Sequence, residues 1–587
     1  MEKKITILTT LSSLPHKSDG EHVGLLLECP ADAEFFPKNN HVISMDQLIG
    51  HAEEARRLAC ELASKLTINE PPLRGIPQLT VFHEVLSAEL HKIFHIVHLY
   101  RFLENNHYTV CTFLQSTWWG NELYQLAALK KSKIKIEIPL IRKQNKIIKL
   151  FYKLMESKFA LAVMYIEFKK IINYVDFFHR RSMLFKKFVE KYEKNKIWFY
   201  STANNYTNIG LSYEPFFPEP FHYLIENKST GGKSLLQNKR MFTSCYEFAL
   251  PDFIPDHDER KQAVQMIYHH LLQVPLLSEE SIVREMFLKS TWLKLFFSRL
   301  LAYGLFLAAV FENWINKTAP KAVIVGNQVF EGYALYKARD KNIPTVLLQH
   351  GVVANYYSYS DHPVDYYIVR GKFFYDRLSQ FSKKRAVIFN PTHHVDDTYV
   401  TSKKKFIVFL TLPTQVLTPA VEVDIKSVLQ TLLQTISTTS MELVIRVHPL
   451  EKIIDYKLLV DSILKNTMYK CNIHYHQGNG LHELLKNTAA VVMLHSTVFL
   501  DCLKHQVPII SFNWHQFGWK ETIKPYEIFF FAENLSHLAA LILQAHQGKL
   551  ILKKQTSAFF LAEIARPVFF NELKKMLRIT MDNESTL

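Results

Sequence analysis

At 587 residues the chain is too long for one compact core and long enough for three or four domain-sized units. Its composition, 48% hydrophobic and 13% aromatic with 17 glycines, is that of a folded protein and excludes collagen-like, mucin-like and disordered classes. The formal net charge is +15, and most of it is local: from Arg142 to Lys196 fifteen Lys and Arg stand against five Asp and Glu, a surplus of +10.

Met1-Glu-Lys-Lys leads into Ile5–Leu11, which reads as a first β-strand rather than a secretory signal, because the run carries Thr9 and Thr10 and no small-residue cleavage pattern follows. The spacing predicts a helix over Met45–Lys65 and strands at Tyr108–Leu114 and Ile134–Ile138, so residues 1–140 are α/β. Over residues 141–196 apolar residues recur three and four apart among Lys and Arg, the pattern of basic amphipathic helices. Such a helical insertion either packs as a solvated face or rests on an anionic membrane surface; no nucleic-acid recognition motif accompanies it. Residues 197–260 read as loops, with the Pro-rich Glu214–Pro220. Gly231-Gly232-Lys233-Ser234 is not a phosphate-binding P-loop, since position 227 holds Asn and no strand leads into it. The apolar run Leu300–Phe311 is about twelve residues, short of the roughly twenty that span a bilayer, and reads as a buried helix.

From Lys321 short apolar strands alternate with helices, the signature of a parallel sheet covered on both faces. Strands are expected at Ala322–Gly326, Thr345–His350, Tyr366–Val369 and Ala386–Phe389, and helices at Val329–Asp340 and Phe373–Phe381. A polar linker, Pro391–Lys405, leads to a second set at Phe406–Leu410, Leu443–Val447, Asn472–Tyr475, Ala490–Leu494 and Pro508–Phe512. Ser557–Leu577 reads as a helix that packs back on the N-terminal part. The division is 1–390 for an N-terminal α/β unit, 400–550 for a C-terminal Rossmann-like unit and 555–587 for the returning helix.

Three groups of residues fall at the C-terminal ends of predicted parallel strands, where open α/β sheets bind ligands. Gln349-His350-Gly351 offers a histidine able to take a proton and a glycine that leaves room for a ligand. Arg446-Val447-His448-Pro449 puts a hydrogen-bonding, chargeable imidazole at a strand rim. His495-Ser496-Thr497 sets hydroxyls and free N–H groups at a helix start, which serves as an anion site or as plain capping. Glu331, at a strand-to-helix turn in Gly326–Gly332, is the first acidic candidate for orienting an acceptor or acting as base; Asp361 and Asp365 rank behind it. His393-His394-Val395-Asp396-Asp397 lies in the linker, and adjacent histidines rarely chelate one ion, so no metal site is assigned. The six cysteines form no C-x-x-C pair and fit a reducing compartment.

The succession LLQHG, DYYIV, R-V-H-P, H-S-T and P-I-I-S-F resembles surface-polysaccharide glycosyltransferases of the GT-B fold, in particular capsule and lipopolysaccharide enzymes that use CMP-linked Kdo or sialic acids. CDP-glycerol polymerases carry a similar arrangement. The resemblance covers roughly residues 320–530, and His-Ser-Thr stands here where the usual pair is Ser-Ser. It implies two Rossmann-like domains facing a cleft. It also implies a nucleotide phosphate held by His448, Ser496 and Thr497, with Arg446 and Pro449 alongside, and His350 as base. Gln349, Gly351 and His495 would line the cleft.

The resulting expectation is a glycosyltransferase of the cytoplasm, peripheral at the inner face of the membrane. It would need no cofactor or metal, taking a nucleotide-sugar donor and a glycan or lipid-linked acceptor. A sugar-nucleotide epimerase or hydrolase, a CDP-glycerol-type phosphotransferase, and a non-catalytic membrane-associated assembly protein are the rivals.

Overall fold

The computed structural model describes residues 3–8, 22–25, 42–43, 52–113, 118–137, 194–202, 204–225, 235, 237–238, 240–250, 253, 255–326, 331–349, 363–381, 385–389, 404–411, 425–448, 451–465, 467–478, 480–494, 496, 498–512, 523–552, 560 and 566–577. Its strands form three sheets, and every strand pair between them is parallel.

The first sheet holds β1 (Lys4–Leu8), β2 (His22–Leu25), β3 (Val42–Ile43), β4 (Val110–Phe113) and β5 (Lys135–Glu137) in the order β3-β2-β1-β4-β5. The second holds β6 (Ile197–Ser201), β7 (His222–Ile225), β8 (Phe242–Ser244), β9 (Ala322–Val325), β10 (Thr345–Leu348), β11 (Tyr366–Val369) and β12 (Arg385–Ile388), ordered β12-β11-β10-β9-β6-β7-β8. The third holds β13 (Phe406–Leu410), β14 (Glu442–Arg446), β15 (Ile473–His476), β16 (Thr488–Met493), β17 (Ile509–Ser511) and β18 (Phe530–Phe531), ordered β15-β14-β13-β16-β17-β18. The residues read as one N-terminal unit, 1–390, thus contain two sheets.

The second sheet shows why its strands read as unbroken apolar runs. Trp198, Tyr200, Val323 and Val325 face one hydrophobic core, while Ile197, Phe199, Ala322 and Ile324 face another. With both faces buried the two-residue alternation disappears. The strands β6, β7 and β8 were missed in the sequence, where 197–260 read as loops. They are three to five residues long, and the Pro-, Asn- and Tyr-rich sequence between them, which includes the helix Asn204–Tyr213 and the turn Glu214–Phe216, masked the alternation of strand and helix that marked the later strands.

The apolar run at Leu300–Phe311 is the middle of a 27-residue helix, Trp292–Thr318, that by length and apolarity alone suffices to cross a membrane. Its inward residues Leu305, Leu307, Val310, Phe311 and Trp314 instead lie in the protein core. Arg74 fastens the segment after the first long helix onto this layer. Its guanidinium donates to both carboxylate oxygens of Glu259 (2.7 and 2.8 Å) and to the carbonyls of Phe253 (2.9 Å) and Leu305 (3.0 Å). The basic stretch 141–193, Gly231–Ser234 and His393–Asp397 lie outside the described residues.

Two aromatic joints connect the second and third sheets. The Phe560 ring meets Phe373 of the second unit at 4.6 Å, and Tyr526 and Phe499 of the third at 5.4 and 5.8 Å. Further on, the helix Arg566–Met576 returns to the second sheet, where Phe569 stacks on Phe389 with centroids 3.8 Å apart. Two doubly wound sheets joined by a returning C-terminal helix make the GT-B-like α/β architecture. Gly371 marks how tightly the joint closes, since a Cβ there would sit 2.0 Å from the Phe560 carbonyl oxygen. Overpacking of this kind costs about 1–3 kcal/mol, and a backbone atom cannot rotate away. Gly371→Ala is therefore expected to lower the melting temperature by several degrees and to speed proteolysis near residue 560, which calorimetry and limited trypsinolysis would read.

Candidate functional site

A doubly wound sheet reverses its winding direction once, and the loops on either side of that reversal part to leave a crevice at the carboxyl ends of the strands. The second sheet reverses between β6 and β9, and the third between β13 and β16. The residues that follow those strands are Thr202 and Glu331 in one case, Thr411 and Ser496 in the other.

At the third sheet, Thr411 stands at the end of β13, flanked by the exit of β14 with Arg446 and His448 and by the exit of β16 with Ser496. Adjacent strands lie about 4.8 Å apart, so the exits of β14 and β16, on either side of β13, are roughly 10 Å apart. The His448 backbone N–H donates to the Thr411 hydroxyl (2.8 Å). That hydroxyl donates to Glu451 (2.5 Å), whose other oxygen accepts from the Tyr456 phenol (2.9 Å). The His448 carbonyl accepts from the Glu451 N–H (2.9 Å) and from the Gln477 side-chain amide (2.9 Å). His448 is half-buried, and burial holds its imidazole below the ordinary histidine range, partly offset by the Glu451 carboxylate.

Ser496 accepts from the Val498 N–H (3.3 Å) and its carbonyl from the Phe499 N–H (3.1 Å), in the turn that leads into the short helix Phe499–Lys504, whose N-cap is Val498. The Ser496 hydroxyl proton is not spent in either bond. The Arg446 guanidinium is committed to the exit of β15, donating to His476 Nδ1 (2.5 Å) and to the Gly478 carbonyl (2.6 Å). Asp501 lies in the field of Arg446, His482 and Lys504, and also of Arg370, which follows β11 of the second sheet. Burial raises the Asp501 carboxyl above its usual range, and these four neighbours, Arg370 first, oppose the rise. Charges from both sheet units thus act on one carboxylate.

At the second sheet Glu331 is wholly buried, at 0% exposure, under the crevice between β6 and β9. One oxygen accepts from the Thr202 hydroxyl (2.5 Å) and the Thr202 N–H (3.3 Å). The carboxylate therefore meets the crevice through Thr202. Gln349, read as cleft-lining, is buried: its side-chain oxygen accepts from the Arg370 N–H (2.8 Å) and its own N–H donates to the Ile368 carbonyl (2.9 Å), tying β10 to β11. Asp365 is taken up by the Thr345 N–H (3.0 Å) and hydroxyl (2.9 Å) at the opposite, amino end of β10. His350, Gly351, Pro449, His495, Thr497 and Asp361 lie outside the described residues. Among the described residues no group of three His, Cys, Asp or Glu side chains is placed to hold a metal ion.

Thr202, Thr411, Glu451 and Arg370 were not singled out from the sequence. Thr411 had a usable signal, because it directly follows FIVFL, the first strand of its doubly wound unit. The others had none, since the contacts Thr202–Glu331 and Thr411–Glu451 join residues 129 and 40 positions apart. Removing the hydroxyl in Thr202→Val leaves the buried Glu331 oxygen short of a donor. A cost of about 1–3 kcal/mol is expected in denaturant melts, with Thr202→Ser close to wild type.

Comparison with solved structures finds distant likenesses. UDP-GlcNAc 2-epimerase from Neisseria meningitidis, bound to UDP-GlcNAc, is 8% identical with a TM-score of 0.41, covering 65% of this chain and 100% of that one. A lipopolysaccharide outer core galactosyltransferase is 11% identical with a TM-score of 0.36, covering 65% and 99%. A glycosyltransferase from Rickettsia africae is 11% identical with a TM-score of 0.39, covering 66% and 100%. At this level the fold assignment rests on the strand order. No curated protein matches the chain. Residues 354–517, which run from the end of β10 through β17 and include Arg370, Thr411, His448, Ser496 and Asp501, match the family model described as capsule polysaccharide biosynthesis protein.

Proposed function

We propose that this protein is a glycosyltransferase that moves a sugar from a nucleotide-activated donor, of the CMP-linked acidic type, to a cell-envelope polysaccharide or a lipid-linked acceptor. The observation that carries the reading is the pair of facing crevices. One is rimmed by Thr411, His448 and Ser496, the other is floored by Glu331 and Thr202, and the charge of Arg370, at the exit of β11, acts on Asp501 of the third unit. The capsule-family match over 354–517 covers the first of these, with Thr411, His448 and Ser496, together with Arg370 and Asp501.

In this reading the donor phosphate sits at the third sheet. His448 and the Ser496 hydroxyl, with Thr497, donate to its oxygens as negative charge builds on the departing nucleotide. Arg446 contributes field rather than direct contact. The acceptor hydroxyl enters from the second sheet and attacks the sugar carbon that bears the phosphate. Its proton goes to His350, and Glu331 acts through Thr202 to orient the acceptor. Neutralisation by protein donors makes a metal unnecessary, so transfer should persist in EDTA. The basic stretch 141–196 would hold the enzyme at the inner membrane face beside its acceptor; neutralising Lys143, Lys146 and Lys149 should then abolish binding to anionic liposomes.

The first test is a thermal-shift titration with CMP, CDP, UDP and GDP. A ligand at a hundred times its dissociation constant stabilises the folded state by about 2.7 kcal/mol, which is plainly visible. A cytidine nucleotide should shift the wild type, and His448→Ala should weaken it by about ten- to a hundredfold, the worth of a hydrogen bond to a charged group. A shift with UDP or GDP alone would move the donor class. Full donor turnover without any acceptor would replace transfer by hydrolysis or epimerisation, and transfer undiminished in His448→Ala would remove the assigned phosphate site.

If His448 binds phosphate as a cation, its depressed proton affinity makes binding take up a proton. Nucleotide affinity should then rise as pH falls from about 7.5 towards the free-enzyme value. Calorimetry in buffers of different ionisation enthalpy would count the proton.

A further inference from the structure

Glu451 has no place in the chemistry above, yet both of its carboxylate oxygens are occupied at the crevice. Thr411 donates to one at 2.5 Å and Tyr456 to the other at 2.9 Å. An ionised carboxylate only accepts, so the single hydroxyl proton of Thr411 is committed to Glu451. The Thr411 oxygen is thereby left as an acceptor, and the group that uses it is the backbone N–H of His448 at 2.8 Å. Glu451 thus dictates the polarity of a two-bond relay that ends on the backbone of the candidate phosphate-binding histidine.

The same turn is closed from two other sides. The Glu451 N–H donates to the His448 carbonyl (2.9 Å), and the Gln477 amide bridges the carbonyls of His448 (2.9 Å) and Glu451 (3.0 Å) from beyond β15. The Thr411 N–H donates to the Arg446 carbonyl (3.1 Å), which joins the exits of β13 and β14. Tyr456 is anchored on the helix Ile453–Lys465 with its side chain buried, so the relay is referenced to a rigid element.

We propose that Glu451 is a positioning residue of the donor site: acting through Thr411, with Tyr456 as its anchor, it fixes the turn that carries His448 at the rim of the crevice. The inference rests on the reading of this crevice as the nucleotide site and adds to it the residue that sets the histidine's backbone.

The experiment uses the full chain and CMP as the probe, with CDP, UDP and GDP run alongside. Kd and the ligand-free melting temperature are measured for Glu451→Ala, Tyr456→Phe, Thr411→Val and Thr411→Ser, each with and without His448→Ala. Glu451→Ala and Thr411→Val are expected to weaken nucleotide binding about tenfold, and Thr411→Ser, which keeps the relay hydroxyl, to stay within about twofold of wild type. In the His448→Ala background the Glu451→Ala effect should shrink to within about twofold, because residues that act through one another are not additive. A purely structural role would lower the melting temperature equally in both backgrounds without this coupling. The proposal is overturned if the wild type binds nucleotide and Glu451→Ala or Tyr456→Phe leaves Kd unchanged, or if the loss is the same with and without His448. A wild type that binds none of the four nucleotides would overturn the site assignment and this inference together.

Discussion

A parallel strand must be followed by a crossover before its neighbour can pair, and a sheet built outward in both directions from its middle must reverse once. In the second and third sheets that constraint marks where strand ends are left open. At each reversal the two flanking crossovers leave in opposite directions, so no connection covers the strand ends between them. In the second sheet this exposes the exits of β6 and β9, and in the third those of β13 and β16. The polar side chains found there occupy the places the winding leaves open.

What makes two crevices into one cleft is the joint between the sheets. Phe560 inserts among Phe373, Tyr526 and Phe499, and Phe569 stacks on Phe389. Gly371 is the position where the returning backbone and the turn after β11 come too close for a side chain. One residue before it, Arg370 is held by Gln349 through its N–H and projects its charge onto Asp501 of the third unit. The apolar joint and the charge of Arg370 thus meet at neighbouring positions, 371 and 370.

The two crevices are built on opposite principles. The carboxylate of Glu331 is withdrawn from solvent and reaches the crevice through the Thr202 hydroxyl, while His448 sits half-exposed on a turn secured by Thr411, Glu451 and Gln477. A buried carboxylate with a hydroxyl partner suits orientation of a neutral hydroxylated ligand. A half-exposed imidazole beside the Ser496 hydroxyl suits an anion. The proposal of acceptor on one side and donor phosphate on the other is supported by that contrast.

The sequence by itself determined the strand segments from Lys321 onward, because four-to-six-residue apolar runs separated by helices have few other solutions; Tyr366–Val369 and Phe406–Leu410 are found where they were read. It also determined that Arg446, His448 and Ser496 fall at strand exits, since position along a parallel strand is a local property. Only the tertiary structure decided which exits share a crevice. It showed that β6, from a segment that read as loop, lies beside β9 and brings Thr202 to Glu331. It turned Gln349 inward, committed Arg446 to His476, and placed Glu451 beneath Thr411. The physical reason is the same in each case. A hydrogen bond between residues tens of positions apart leaves no period and no motif in the chain, and exists only once the crossovers have set the strand order.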